Sequence, residues 1–181
     1  MAVKNNRRAQ MTRLLLRTAL IELMQEKPFS GITIKEICQK ADLNRTTFYL
    51  HYADQYALLA DVESEVYRKT LETLKDVRPA ADAPGMIEAF LRYVRENASL
   101  FRILFFDADS EQFRSRFVEN TLESLRVNIP LSCAPEEEPY CLCFLMQGSV
   151  HMIMEWIRRG FDMEPGRLAS LIFQVCNRVA P

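Results

Sequence analysis

Arg45-Thr46-Thr47-Phe48-Tyr49-Leu50-His51 is the stretch whose residue types are best suited to chemistry with a partner. Asn44, just before it, is a strong helix N-cap, so a short helix is predicted from Arg45 onward. If Phe48 points inward, helical geometry places Thr46 and Leu50 opposite it and Thr47 and Tyr49 on the flanks. The outward surface is then Thr, Thr, Tyr and Leu, with the Arg45 guanidinium at the helix start. Such a face is uncommon on a solvated helix and suits a DNA groove, where hydroxyls, a guanidinium and an apolar tip each find partners. For Leu50 the competing reading is a solvent-exposed leucine.

Other elements must hold that face. Thr33 followed by Glu36 is a capping box that opens a helix whose Ile34, Ile37, Cys38 and Ala41 share one stripe. Asp42-Leu43 breaks it, and Leu43 and Phe48 are spaced as a hydrophobic staple across Asn44. Two short helices joined by a tight turn result. Ahead of them, Met11 to Gln25 reads as an amphipathic helix with Leu14, Leu15, Thr18, Ala19, Ile21 and Leu23, ended by Lys27-Pro28. Phe29 and Ile32 should tuck the connection against the core. Asp54 caps a long fourth helix running to about Asp76, with Leu58, Leu59, Val62 and Val66 on its apolar side.

Beyond a linker-like stretch from Val77 to Pro84, helices are predicted over 84–97, 97–106, 110–129 and 139–159, and from Pro165 onward. Asp107-Ala108-Asp109-Ser110 separates the second from the third of these, and an acidic loop, Pro130 to Pro139, the third from the fourth. Gly160 is placed as the C-cap glycine of 139–159. No segment alternates with period two, so the fold class is all-α, with about nine helices. The division expected is a three-helix DNA-binding domain over 1–56 and a helical bundle over 57–181.

Composition narrows the function. Apolar residues make up 49% and charged residues 26% of 181, a globular balance large enough for a sizeable core. The net charge of −1 hides an asymmetry: residues 1–56 carry nine Lys/Arg against five acids, and the remainder carries 14 against 19. A basic N-terminal third on a near-neutral chain points to a polyanion met by that third. No signal-type segment or membrane-length apolar run is present, which predicts a cytoplasmic protein. Five cysteines without framework spacing read as free buried thiols. Cys141 and Cys143, two apart on a helix, point about 200° apart and cannot share one ion. No metal site, cofactor or catalytic set is expected, and the chain does not read as an enzyme.

The run Ile32-Thr33-Ile34-Lys35-Glu36-Ile37, with Ala41-Asp42-Leu43-Asn44-Arg45-Thr46-Thr47-Phe48-Tyr49, His51-Tyr52 and Leu58-Leu59, resembles the DNA-binding domain of the tetracycline-repressor (TetR) family. Gly148-Ser149 through Trp156, with Gly160 and Pro165, resembles the C-terminal part of a subgroup that includes regulators of dihydroxyacetone-kinase operons. The resemblance implies that Arg45 reads bases, where arginine can fork onto the O6 and N7 of guanine. It places Thr33 on a phosphate, Thr46 near bases, and Thr47, Tyr49 and His51 on phosphates, with Leu50 reaching a thymine methyl and Asn44, the cap, counted with them among the DNA-binding residues. Arg7 and Arg8 are expected as an arm along the backbone or minor groove, against the alternative of a disordered basic terminus. Gln55 stands where the family usually has a phosphate-binding lysine; it releases no counterion, so affinity and salt slope should fall somewhat.

The resemblance further implies a homodimer joined through the last two helices, acting on a palindromic operator in double-stranded DNA. It implies a repressor responsive to a small apolar or amphipathic ligand. Phe90, Tyr93, Leu104, Phe113, Phe117 and Met146 are the candidate pocket residues, each with packed core as its competing reading. An activator of the same fold, or a helical protein–protein adaptor that has lost DNA binding, are the alternative functions.

Overall fold

The computed structural model describes residues 2–75, 83–106, 111–125 and 133–179. Most of the linker-like stretch, the Asp107–Ser110 break, the end of the 110–129 helix and the start of the acidic loop lie outside the described residues. Among the described residues there are nine α-helices and no strand: α1 (Ala2–Glu26), α2 (Ile34–Lys40), α3 (Arg45–Tyr49), α4 (Gln55–Lys75), α5 (Ala83–Glu96), α6 (Ala98–Phe106), α7 (Glu111–Leu125), α8 (Glu138–Arg158) and α9 (Pro165–Val179). The all-α reading holds.

The chain divides into two compact units within α4, between Val66 and Tyr67. In the first, α1 starts nine residues earlier than its apolar pattern predicted. Residues 2–10 contain no Gly or Pro, and Ala, Lys, Arg and Gln are good helix formers, so nothing stops the helix there. Arg7 and Arg8 are consequently exposed on a helix rather than strung along an arm. The face that packs is Leu16, Ala19, Leu20, Leu23 and Met24, while Leu14 and Leu15 face solvent. The buried set keeps helical spacing; the expected set mixed two sides of the helix.

Phe29 and Ile32 are buried in the connection to α2 as its apolar residues required. Ile37, Cys38 and Ala41 of α2, Phe48 of α3, and Leu58, Val62 and Val66 of α4 complete the core of this unit. Asp54 caps α4, accepting from the Ala57 N–H at 2.8 Å.

The second unit is built on aromatic rings. Phe101 of α6 lies edge-on to Phe90 and Tyr93 of α5 and stacked on Phe105, which meets Phe113 and Phe117 of α7 edge-on. Helix α5 packs along α9, and Leu91, Val94, Leu168, Ala169 and Ile172 on the two helices are buried. Helix α8 buries Leu142, Leu145, Ile153, Trp156 and Ile157. It ends in a Schellman turn: the Gly160 N–H donates to Ile157 O and the Phe161 N–H to Trp156 O, with Gly160 at φ +73°. The Phe161 ring stands edge-on to Trp156, and the indole N–H donates to Met163 O at 2.7 Å. Gly160 thus takes the stop position read from the sequence.

Candidate nucleic-acid interface

The first turn of α2 is locked by both halves of the predicted capping box. The Glu36 N–H donates to Thr33 Oγ1 at 3.3 Å, and the Thr33 N–H donates to Glu36 Oε2 at 2.9 Å. The Thr33 hydroxyl also donates to that carboxylate at 2.7 Å, and Lys27 Nζ pairs with its other oxygen at 2.7 Å. The Lys27 hydrogen bond, followed by those of Thr33, draws the Glu36 pKa from its ordinary 4.5 to about 2. Lys40, at the other end of α2, is bound to Glu22 and Glu26 of α1, so its charge is already matched.

Between α2 and α3 the chain makes a second Schellman turn. The Asp42 N–H donates to Gln39 O and the Leu43 N–H to Cys38 O, with Asp42 in the left-handed region at φ 52°. Asn44 then caps α3: its Oδ1 accepts from the Thr47 N–H at 2.7 Å and from the Thr47 hydroxyl at 2.9 Å. Thr47 therefore uses its own hydroxyl proton locally and presents its lone pairs outward. Beneath α3, Phe48 is fully buried and packs against Tyr52, whose hydroxyl donates to Asp61 of α4 at 2.5 Å. Arg17 of α1 lies 3.7 Å from both Asp61 and Glu65. Burial, then the bond to Asp61, pushes the Tyr52 phenol well above its ordinary pKa, so it stays a donor at any physiological pH. The Phe48 side of α3 is pinned and its far side is left open.

That open side carries what the residue types suggested. Arg45, Thr46, Tyr49 and Leu50 are exposed, Leu50 by 76% and Tyr49 by 56%. No salt bridge among the described residues engages Arg45, in contrast to Lys27 and Lys40. Asn44 and Thr33 are exposed at the starts of α3 and α2, and Thr47, His51 and Gln55 are half-buried, Gln55 as the first residue of α4. All nine belong to the first unit. Lys35, exposed on the first turn of α2 beside Thr33, was not singled out by the sequence; as one lysine among many, it became distinctive only once α2 was placed.

The six candidate pocket residues belong to the second unit. Leu104, Phe113 and Phe117 are buried and Phe90, Tyr93 and Met146 half-buried, and the aromatic ones join the ring array around Phe101 and Phe105. The five thiols are free, but only Cys38 is buried. Cys133, Cys141 and Cys176 are partly exposed and Cys143 exposed, because the α8 positions fall to the side of the buried Leu142 and Leu145 stripe.

The family model for bacterial regulatory proteins, tetR family, matches residues 16–62, and a model for a transcriptional regulator C-terminal region of that family matches residues 82–178. The chain belongs to the TetR family. An uncharacterized HTH-type transcriptional regulator of Haemophilus influenzae is 26% identical over 110 residues, covering 57% of this chain and 54% of that protein. The chain spans about half the length of the curated relatives it matches. A TetR transcriptional regulator from Streptococcus agalactiae shares the fold with a TM-score of 0.72, 22% identity and complete coverage of both chains. The dihydroxyacetone kinase operon activator DhaS does so with a TM-score of 0.67 and 22% identity, over 92% of this chain and 94% of that one. Within the matched residues 16–62, the helix-turn-helix is α2, the Asp42-Leu43 turn and α3. Among the described residues, no helix is long and apolar enough to cross a membrane.

Proposed function

We propose that this regulator is a cytoplasmic repressor that binds a palindromic operator as a homodimer and is released by a small apolar or amphipathic ligand. One observation carries the DNA reading: Arg45, exposed and without a salt bridge among the described residues, heads a helix whose other outward residues are Thr46, Tyr49 and Leu50. In a major groove Arg45 forks onto a guanine and Leu50 meets a thymine methyl, with Thr46 beside the bases. Tyr49, His51 and Lys35 hold phosphates, and Thr47 and Thr33 join them by turning their hydroxyl protons from Asn44 and Glu36 to phosphate oxygens. Gln55 adds a neutral hydrogen bond there, and Asn44 fixes the helix they depend on.

Residues 1–56 read DNA and 57–181 sense and dimerise in this account. The dimer rests on α8 and α9. Tyr140 is 78% and Phe144 61% exposed, one turn apart on α8, and Leu171 and Val175 repeat that spacing, partly exposed, on α9. A second copy of the same helices would cover both pairs in a two-fold arrangement, placing two recognition helices on half-sites about 34–36 Å apart or a multiple of that. Ligand response is supported by the aromatic array and by the hydroxyls of Thr70 and Thr121, buried without a hydrogen-bond partner among the described residues. A ligand that satisfies them binds best to a form with wrongly spaced heads and depletes the DNA-binding form.

Selection of bound sites from random duplex DNA tests this. An enriched inverted repeat is the expected result. Enrichment of a single half-site would remove the homodimer, and no enrichment would favour an adaptor that does not read DNA.

A further inference from the structure

Helix α3 is five residues long, too short to be stable by itself, so what holds its ends decides where its outward residues point. Its start is fixed within the chain by the Asn44 cap, and its underside by Phe48, whose apolar burial is non-directional. The residues just after it supply a directional tie. Tyr52 is buried, with its ring 5.8 Å from that of Phe48. Its hydroxyl donates at 2.5 Å to Asp61 Oδ2, in the second turn of α4. Arg17 of α1 brings its guanidinium within 3.7 Å of the same Asp61 oxygen and within 3.7 Å of Glu65, one turn further along α4. The chain after α3 and the helices α1 and α4 thus meet at one carboxylate. Arg17, Asp61 and Glu65 are half-buried, and neither they nor Tyr52 belong to the outward face of α3.

We propose that Tyr52, Asp61 and Arg17 are positioning residues for operator recognition, setting the angle of α3 against α4 without touching DNA. The inference rests on the reading that α3 meets the bases. A phenylalanine ring would fill the space of Tyr52, so the hydroxyl adds no packing. What it adds is a charge-assisted O–H···O⁻ bond, which has a preferred length and direction where apolar contact has none. Arg17, approaching from α1, keeps the acceptor turned toward the cluster instead of toward water. The consequence differs for the two kinds of DNA contact. A bidentate arginine on a guanine edge needs its helix at one angle, so a loosened α3 loses base reading. Attraction to phosphates depends on charge and tolerates a small rotation, so binding to arbitrary sequence is spared.

The experiment measures the full-length parent, Tyr52→Phe, Asp61→Ala, their double variant and Val66→Ala on a selected operator and on a scrambled duplex, with the thermal midpoint of each protein. Val66 is buried in the same core and makes no bond to the cluster, so it reports what lost stability alone does. Tyr52→Phe should keep its helical circular dichroism, its affinity for the scrambled duplex and the salt slope of that affinity. Its operator binding should weaken by roughly twofold to thirtyfold. Val66→Ala should lower the midpoint and leave the ratio of operator to scrambled affinity unchanged. The double variant should bind the operator as Asp61→Ala does, since the hydroxyl has nothing left to hold. Parental operator affinity in Tyr52→Phe, or a loss that follows the midpoint across all variants, would overturn the proposal. A parent that selects no sequence would overturn the reading beneath it and the proposal together. The two failures are distinct, because the first requires a parent that discriminates.

Discussion

Glu36 bears more on the head than its place on the surface suggests. Its carboxylate accepts from the Thr33 N–H and hydroxyl and pairs with Lys27, so it fixes the first turn of α2 and the loop before it at once. A carboxylate held at about pKa 2 against an ordinary 4.5 stabilises the folded state fully above pH 4.5. That contribution is lost as pH falls from there toward 2. Glu36→Gln should therefore lower stability near neutral pH and flatten the fall in stability across this acid window, as read by urea midpoints at a series of pH values. An acid profile with unchanged slope would show that the capping box is not formed in solution. Arg45 is the opposite case: no salt bridge among the described residues holds its charge. Its exposure was deducible from the Asn44 cap and the inward Phe48. Thr47 was not legible in the same way, because one residue type can serve either the cap or a phosphate, and only the 2.9 Å bond to Asn44 shows where its proton goes.

At the scale of elements, strong local signals were legible and ambiguous ones were not. Thr33, Glu36, Asn44, Asp54 and Gly160 stop or start helices through bonds to neighbouring backbone groups, so the sequence alone located those boundaries. The start of α1 escaped because its first turns, Ala2 to Gln10, are too polar to show an apolar stripe, and its buried face was misassigned because Leu14, Leu15 and Leu16 are identical in type. Which leucine packs depends on partners distant in sequence. The α2–α3 turn offers a direct test of its backbone. Asp42 sits at φ 52°, where a Cβ is crowded and glycine is at ease. Asp42→Gly should be neutral or raise stability by up to ~1 kcal/mol, whereas Asp42→Val should lower it by about 1–2 kcal/mol. Loss of stability in the glycine variant would mean that the Asp42 side chain supplies a bond the turn needs.

On the scale of the whole molecule, the structure sorts the apolar residues of α8 into a buried stripe and an exposed one. The sorting could not be read from composition, since Tyr140 and Phe144 are as apolar as the residues that pack. If the exposed stripe joins two copies, Phe144→Glu places a charge in a dry contact. Sedimentation should then show monomers at concentrations where the parent is dimeric, with thermal stability of the isolated subunit little changed. A variant that stays dimeric would move the interface elsewhere. Whether the far side of α3 reads DNA is tested by the affinity of an Arg45→Ala/Tyr49→Phe variant for a selected operator at low salt. Loss of one bidentate arginine contact, about 1–3 kcal/mol, predicts binding weaker by roughly fivefold to 150-fold, with discrimination against non-specific DNA reduced. Binding equal to that of the parent would contradict the account.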